Sequence, residues 1–147
     1  MTRLPAFLLG LTMALSAAAD DATKVVTAKG KFADVKDDLV GAIAQRGLVV
    51  NFTSHVGDML ERTGRDLGET RKIYDHAEVV EFCSATASRV MMEADPQNLA
   101  YCPYTIAAYT LPGRPGVVYL AHRKYPQTAA LKPVADLIDG IVADASR

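Results

Sequence analysis

The side chains best suited to chemistry in this sequence are its only two cysteines, Cys83 and Cys102. Cys83 follows the apolar run Ala77 to Phe82 (AEVVEF) and precedes Ser84, a residue type that favours a helix N-cap. A thiol at the start of a helix gains from the positive end of the helix dipole, which predicts a lowered pKa and a reactive or metal-binding sulfur. Cys102 stands before Pro103 at the start of another extended run, so both sulfurs are expected at one end of a sheet. Three outcomes are open on the residues alone: a disulfide, a reduced pair used for metal, haem or thiol exchange, and two unrelated buried thiols. A disulfide would close a loop of about 19 residues, a constraint of order 3 kcal/mol in the chain-entropy model. There is no C-x-x-C, so a thioredoxin-type exchange motif is absent.

Of the three histidines, His55, His76 and His122, only His55 has a soft donor nearby in sequence, Met59 four residues on. Histidine with methionine or cysteine is the donor set that copper or a haem iron accepts, and zinc takes histidine and cysteine. His55, Met59, Cys83 and Cys102 therefore form a candidate site if the fold gathers them. Met59, Met91 and Met92 have an alternative use as gap-fillers in the core. No H-E-x-x-H, C-x-x-C-H, G-x-S-x-G or glycine-rich phosphate loop occurs, and no carboxylate pair stands out. The residues thus favour a binding domain over an enzyme. Arg62, Arg65, Arg71 and Lys72 make a positive stretch, but Glu61, Asp66 and Glu69 are interleaved, as on a solvated loop. Tyr101, Tyr104, Tyr109 and Tyr119 fall in the later strands, where they suit sheet packing or self-association.

The elements that must position these groups are legible from periodicity. Val25 to Lys31 reads as a first strand. Val35, Leu39, Ala42, Ile43 and Arg46 have helical spacing, with Asp34 as N-cap and Gly47 as the C-terminal stop. Leu48 to Thr53 reads as a strand returning beside the first. His55 to Gly68 is loosely helical and broken by Gly57, Gly64 and Gly68, which predicts one or two turns and loops. Ala77 to Phe82 is a third strand. A helix follows from N-cap Ser84 to Glu93, with Val90 and Met91 turned inward and Asp95-Pro96 ending it. Thr105 to Leu111 and Gly116 to His122 form a hairpin across Pro112-Gly113-Arg114-Pro115. Ala130 to Ala143 is a last amphipathic helix through Leu131, Val134, Leu137, Ile138 and Ile141.

The chain has 147 residues and opens with Arg3, a twelve-residue apolar run from Leu4 to Leu15, and Ala17-Ala18-Ala19 before Asp20. That is the pattern of a secretory signal cleaved after Ala19, and the run is shorter than the roughly 17 to 25 residues a spanning helix needs. The expected product is a periplasmic or secreted single domain over residues 20–147, with no membrane segment after cleavage. Its 15 basic and 17 acidic residues show no cationic cluster, so nucleic acid is not an expected partner.

The helix ending at Gly47, the Leu48 to His55 segment, FCSA at Phe82 to Ala85, MEADP at Met92 to Pro96, CPY at Cys102 to Tyr104 and the Thr105 to Leu111 strand together resemble the DUF302 family. The likeness covers about Phe32 to Tyr125. It implies a small α+β domain, an antiparallel sheet with packed helices in a TBP-like arrangement, and often a homodimer. It supplies no reaction and no catalytic residue. Many relatives look to have Leu-Pro before the penultimate strand, where this chain has Cys102-Pro103. The leading expectation is an exported binding domain that takes a soft metal, haem, small ligand or partner protein near its cysteines. The alternatives are a thiol/disulfide redox protein and a structural dimerising module.

Overall fold

The computed structural model describes residues 22–147. The signal peptide expected over residues 1–19 lies outside them. In chain order the elements are β1 (Thr23–Lys29), α1 (Phe32–Ala44), β2 (Val50–Ser54), α2 (Val56–Asp66), β3 (His76–Phe82), α3 (Ala85–Ala94), a short 3-10 helix (Pro96–Tyr101), β4 (Tyr104–Thr110), β5 (Val117–Arg123) and α4 (Lys132–Ala145). The strands make one five-stranded antiparallel sheet in the order β1-β5-β4-β3-β2. The chain is thus a single α+β domain.

Side chains alternate across a strand, and here every second residue is fully buried: Val80 and Phe82 on β3, Tyr104, Ile106 and Ala108 on β4, Val118 and Leu120 on β5. Against this face lie Leu39 and Ile43 of α1, Met91 of α3, and Val134, Ile138 and Ile141 of α4. The apolar spacing that predicts α1 and α4 therefore marks their packed faces. Gly47, at φ +71°, ends α1 through a Schellman pattern: its N–H reaches the Ala44 carbonyl at 2.8 Å and that of Leu48 reaches Ile43 at 3.3 Å. Arg46 then bonds Asp144 on α4 (Nη2 to Oδ2, 2.6 Å), joining the two helix ends. The opposite sheet face carries Val79, Ala107, Tyr109, Tyr119 and Ala121; α2 lies against it at Ala77, and Tyr74 from the segment after α2 meets Tyr109 edge to face at 5.4 Å.

Four details differ from the sequence-based expectation. β2 does not return beside β1: α1 carries the chain across the sheet, so β1 pairs β5 at one edge and β2 pairs β3 at the other. Asp34 lies in the first turn of α1 and the N-cap position is Lys31, with no side-chain cap. The segment after His55 is a full helix of 11 residues. Its glycines do not break it, because Gly57 faces the sheet where a Cβ would sit 2.9 Å from the Ala77 nitrogen. Val90 points outward on α3, whereas Met91 is fully buried.

Candidate functional site

Phe82 and Tyr104 are register partners on β3 and β4, so the residues just beyond them, Cys83 after β3 and Cys102 before β4, emerge at the same end of the sheet. Their Sγ atoms lie 2.8 Å apart. This is sulfur in direct contact with sulfur, outside the bond length of about 2.0 Å, and the two thiols are free and half-buried. Beneath them Ser88, on the inward side of α3, has its Oγ 3.9 Å from Cys102 Sγ and 2.8 Å from Tyr104 Oη. Tyr104 is fully buried and meets Phe82 edge to face. The result is a chain of four polar side chains, Cys83, Cys102, Ser88 and Tyr104, rising from the core floor to the surface.

The position of Cys83 at a helix start does not lower its pKa as the sequence suggests. Burial pushes the Cys83 thiol up, and the adjacent Cys102 adds to the effect, while the Tyr104 backbone N–H and Ser88 pull the other way. Cys83 precedes the N-cap, and Ser84 Oγ already takes the Ala87 N–H at 3.3 Å, so the helix end is satisfied by Ser84. Burial likewise raises the Tyr104 phenol, with Ser88 opposing and negative charge on Cys102 or Cys83 adding to it. Behind them stands Tyr125, 5% exposed, its ring 5.6 Å from that of Tyr101. Its hydroxyl is buried without a hydrogen-bond partner. Burial pushes Tyr125 up to about 12; Arg123 opposes, and charge on Tyr104, Cys102 or Cys83 reinforces.

His55 and Met59 do not join this site. His55 caps α2 at the far end of β3, where its Nδ1 sits 3.5 Å from Glu78 Oε1 and its side chain is 61% exposed. Met59 is 46% exposed on the same helix, so it fills no core gap. Glu78 is five residues from Cys83 along an extended strand, roughly 17 Å at about 3.4 Å per residue. A copper, zinc or haem site drawing on all four predicted donors is therefore not assembled, because β2 runs antiparallel to β3 and ends beside its start. Among the described residues no group of three or more His, Cys, Asp or Glu could hold a metal. The basic stretch behaves as a solvated surface: Arg65 pairs with Glu61 at 2.8 Å and Lys72 with Asp75 at 3.1 Å. Arg65, Arg71 and Lys72 line a cleft of about 750 Å³ between α2 and residues 67–74, away from the thiols.

Ser88, Tyr104 and Tyr125 are the site residues that sequence reasoning missed. Ser88 could have been found, since it is spaced four residues after N-cap Ser84 and three before Met91, a hydroxyl on the stripe that faces the core. The tyrosine cluster divides by strand alternation: Tyr104 faces the helices, Tyr109 and Tyr119 stack at 5.0 Å on the other face, and Tyr101 lies in the 3-10 helix.

Comparison with known proteins agrees with this architecture. A crystal structure of the uncharacterized conserved protein DUF302 from Bacillus stearothermophilus superposes with a TM-score of 0.65 at 17% identity, covering 86% of this chain and 99% of the other. No curated protein matches the chain. The family model for the domain of unknown function DUF302 matches residues 23–145, the whole sheet and all four α-helices up to Ala145. The chain belongs to the DUF302 family.

Proposed function

We propose that this chain is an exported domain whose Cys83 and Cys102 cycle between dithiol and disulfide, exchanging two electrons with a disulfide on a partner protein. The observation that carries this reading is the 2.8 Å contact between two half-buried sulfurs. Closing that gap to a bond needs a small side-chain shift, and half-burial leaves the pair within reach of a partner. The signal-like pattern of residues 1–19 favours an oxidising compartment, where such exchange has substrates. The test is intact mass with thiol alkylation, on protein taken through an oxidant and then a reductant. The expected result is loss of two hydrogens with both thiols blocked, reversed by dithiothreitol. Two thiols that stay alkylatable after treatment with a disulfide oxidant would refute it.

A second reading, self-association, is favoured by the face opposite the helices. There the stacked Tyr109 and Tyr119 are flanked by the exposed Phe52 and Val25 at the two edge strands. Such an apolar sheet face suits a second copy of the chain. Sedimentation equilibrium should give a dimer, converted to monomer by Ala121→Lys on β5, between Val25 and Ala107 on the same face. A wild-type protein that stays monomeric at every concentration rules it out.

A further inference from the structure

We propose that the reduced pair is a chelating site for organic arsenic(III), holding a compound R–As(OH)2 through the Sγ atoms of Cys83 and Cys102, with R directed outward past Val49 and Leu99. The inference needs only the dithiol and is independent of redox cycling.

The spacing of the pair selects the element. Two sulfurs bound to one centre through bonds of about 2.3 Å stand roughly 3.8 Å apart at a tetrahedral angle, about 4.6 Å apart on a straight line and about 3.3 Å apart at a right angle. The observed separation is 2.8 Å. Tetrahedral zinc would have to spread the sulfurs by about 1 Å and a linear copper(I) ion by nearly 2 Å, above a fully buried floor of Phe82 and Tyr104. Trivalent arsenic carries a lone pair and makes three pyramidal bonds at close to right angles, so it needs the smallest opening. The donor count agrees. Structural zinc takes four ligands, and among the described residues no group of three or more His, Cys, Asp or Glu is gathered. Arsenic needs only the two sulfurs, because R keeps its third position.

Charge and surface agree as well. The hydroxyls beneath the half-buried sulfurs, Ser88 and Tyr104, are neutral. A copper(I) dithiolate would carry a net negative charge there, whereas an arsenic dithiolate is neutral and buries no charge. Val49 precedes Val50, the register partner of Phe82, and so stands across from Cys83, while the Cys102 N–H donates to the Leu99 carbonyl at 3.0 Å. At 73% and 62% exposure, Val49 and Leu99 are two of the three most exposed large apolar side chains among the described residues, and they give an organic substituent a surface to cover.

The step balances without electron transfer. At each cysteine one S–H and one As–O bond break and one As–S bond forms, and the thiol proton leaves with the hydroxide as water. One R–As(OH)2 and two thiols give one cyclic dithiolate and two waters.

The test uses residues 20–147, reduced with a phosphine, and phenylarsine oxide as the probe. At an equimolar ratio, intact mass should show one phenylarsenic per chain in place of two hydrogens, both thiols should be closed to iodoacetamide, and dimercaptopropanol should reopen them. Cys83→Ser and Cys102→Ser, shown folded by circular dichroism, should each weaken binding by about a hundredfold or more, because the second bond is intramolecular. Leu99→Asp should weaken phenylarsine oxide about tenfold and leave arsenite unchanged. Thiols that stay alkylatable beside the probe, a single-cysteine variant that binds as tightly as the parent, or zinc that displaces the arsenical overturns the site. Arsenite held as tightly as phenylarsine oxide, or indifference to Leu99→Asp, overturns the outward organic group and assigns the pair to inorganic arsenous acid. A pair that cycles with glutathione but does not take the probe overturns this inference and leaves the redox reading standing; a pair that takes the probe but never forms a disulfide does the reverse.

Discussion

At its C-terminal end β3 brings Cys83 to Cys102 over Phe82, Tyr104 and Met91, all fully buried, whereas at its N-terminal end it meets His55 and Met59 on a helix that buries none of its residues. Both ends carry soft donors. Only one has a close-packed floor, and there the side chains meet over fully buried neighbours. At the other end a 3.5 Å contact to Glu78, a carboxylate already paired with Lys36, is what orients an exposed imidazole, and such surface contacts contribute little. Donor chemistry becomes a site where the core fixes it.

Substitutions at the two ends should separate them. Phe82→Ala removes a fully buried ring under the thiols and is expected to cost about 3–5 kcal/mol, whereas Met59→Ala should fall within about 0.5 kcal/mol, both read by urea unfolding. Comparable costs at the two positions would break the contrast. Gly57→Ala probes the close approach of α2 to β3, where an added Cβ would lie 2.9 Å from the Ala77 backbone nitrogen. A loss of about 1–3 kcal/mol is expected. A neutral result would mean that α2 shifts freely off the sheet and would sharpen the contrast further. Ser84→Ala removes the cap of α3 beside the thiols and should cost about 1 kcal/mol in thermal unfolding.

The smallest effects are in the pH dependence. The Arg46 hydrogen bond holds the Asp144 carboxyl below its ordinary value, so its stabilisation is present above the ordinary carboxylate range and is lost as pH falls through the depressed value. Arg46→Gln should flatten that acid limb. Tyr125 has the opposite sign: its stabilisation is complete below pH 10 and is lost as pH rises towards about 12, because the unfolded phenol ionises first. Tyr125→Phe should remove this alkaline loss while changing neutral stability little, since the buried hydroxyl has no partner to lose.

Much of this fold was legible in the sequence because its signals are local. Helical spacing exposed α1 and α4, Ser84 announced α3, and the Pro112 to Pro115 turn announced the β4-β5 hairpin. The meeting of Cys83 with Cys102 was legible too, since each borders a strand at the end where adjacent antiparallel strands coincide. Strand order was not: nothing local to Leu48–Thr53 says that its partner is β3, a choice made by where α1 packs. Nor was the helicity of α2, because the room that Gly57 occupies against Ala77 exists only after the sheet has formed. The spacing of Ser88 places a hydroxyl on the inward stripe of α3, but its partner Tyr104 looks like an ordinary strand residue until tertiary packing sets the two hydroxyls 2.8 Å apart.

The central claim, a working dithiol at the C-terminal end of β3, is tested most directly by equilibrating the mature protein in glutathione redox buffers and reading the Cys83–Cys102 bond by alkylation and mass. The account predicts a single reversible two-electron transition with a potential above about −300 mV, in the range of exchange-active pairs. A bond that resists reduction below about −300 mV would mark a structural disulfide, and thiols that never pair would contradict the account outright.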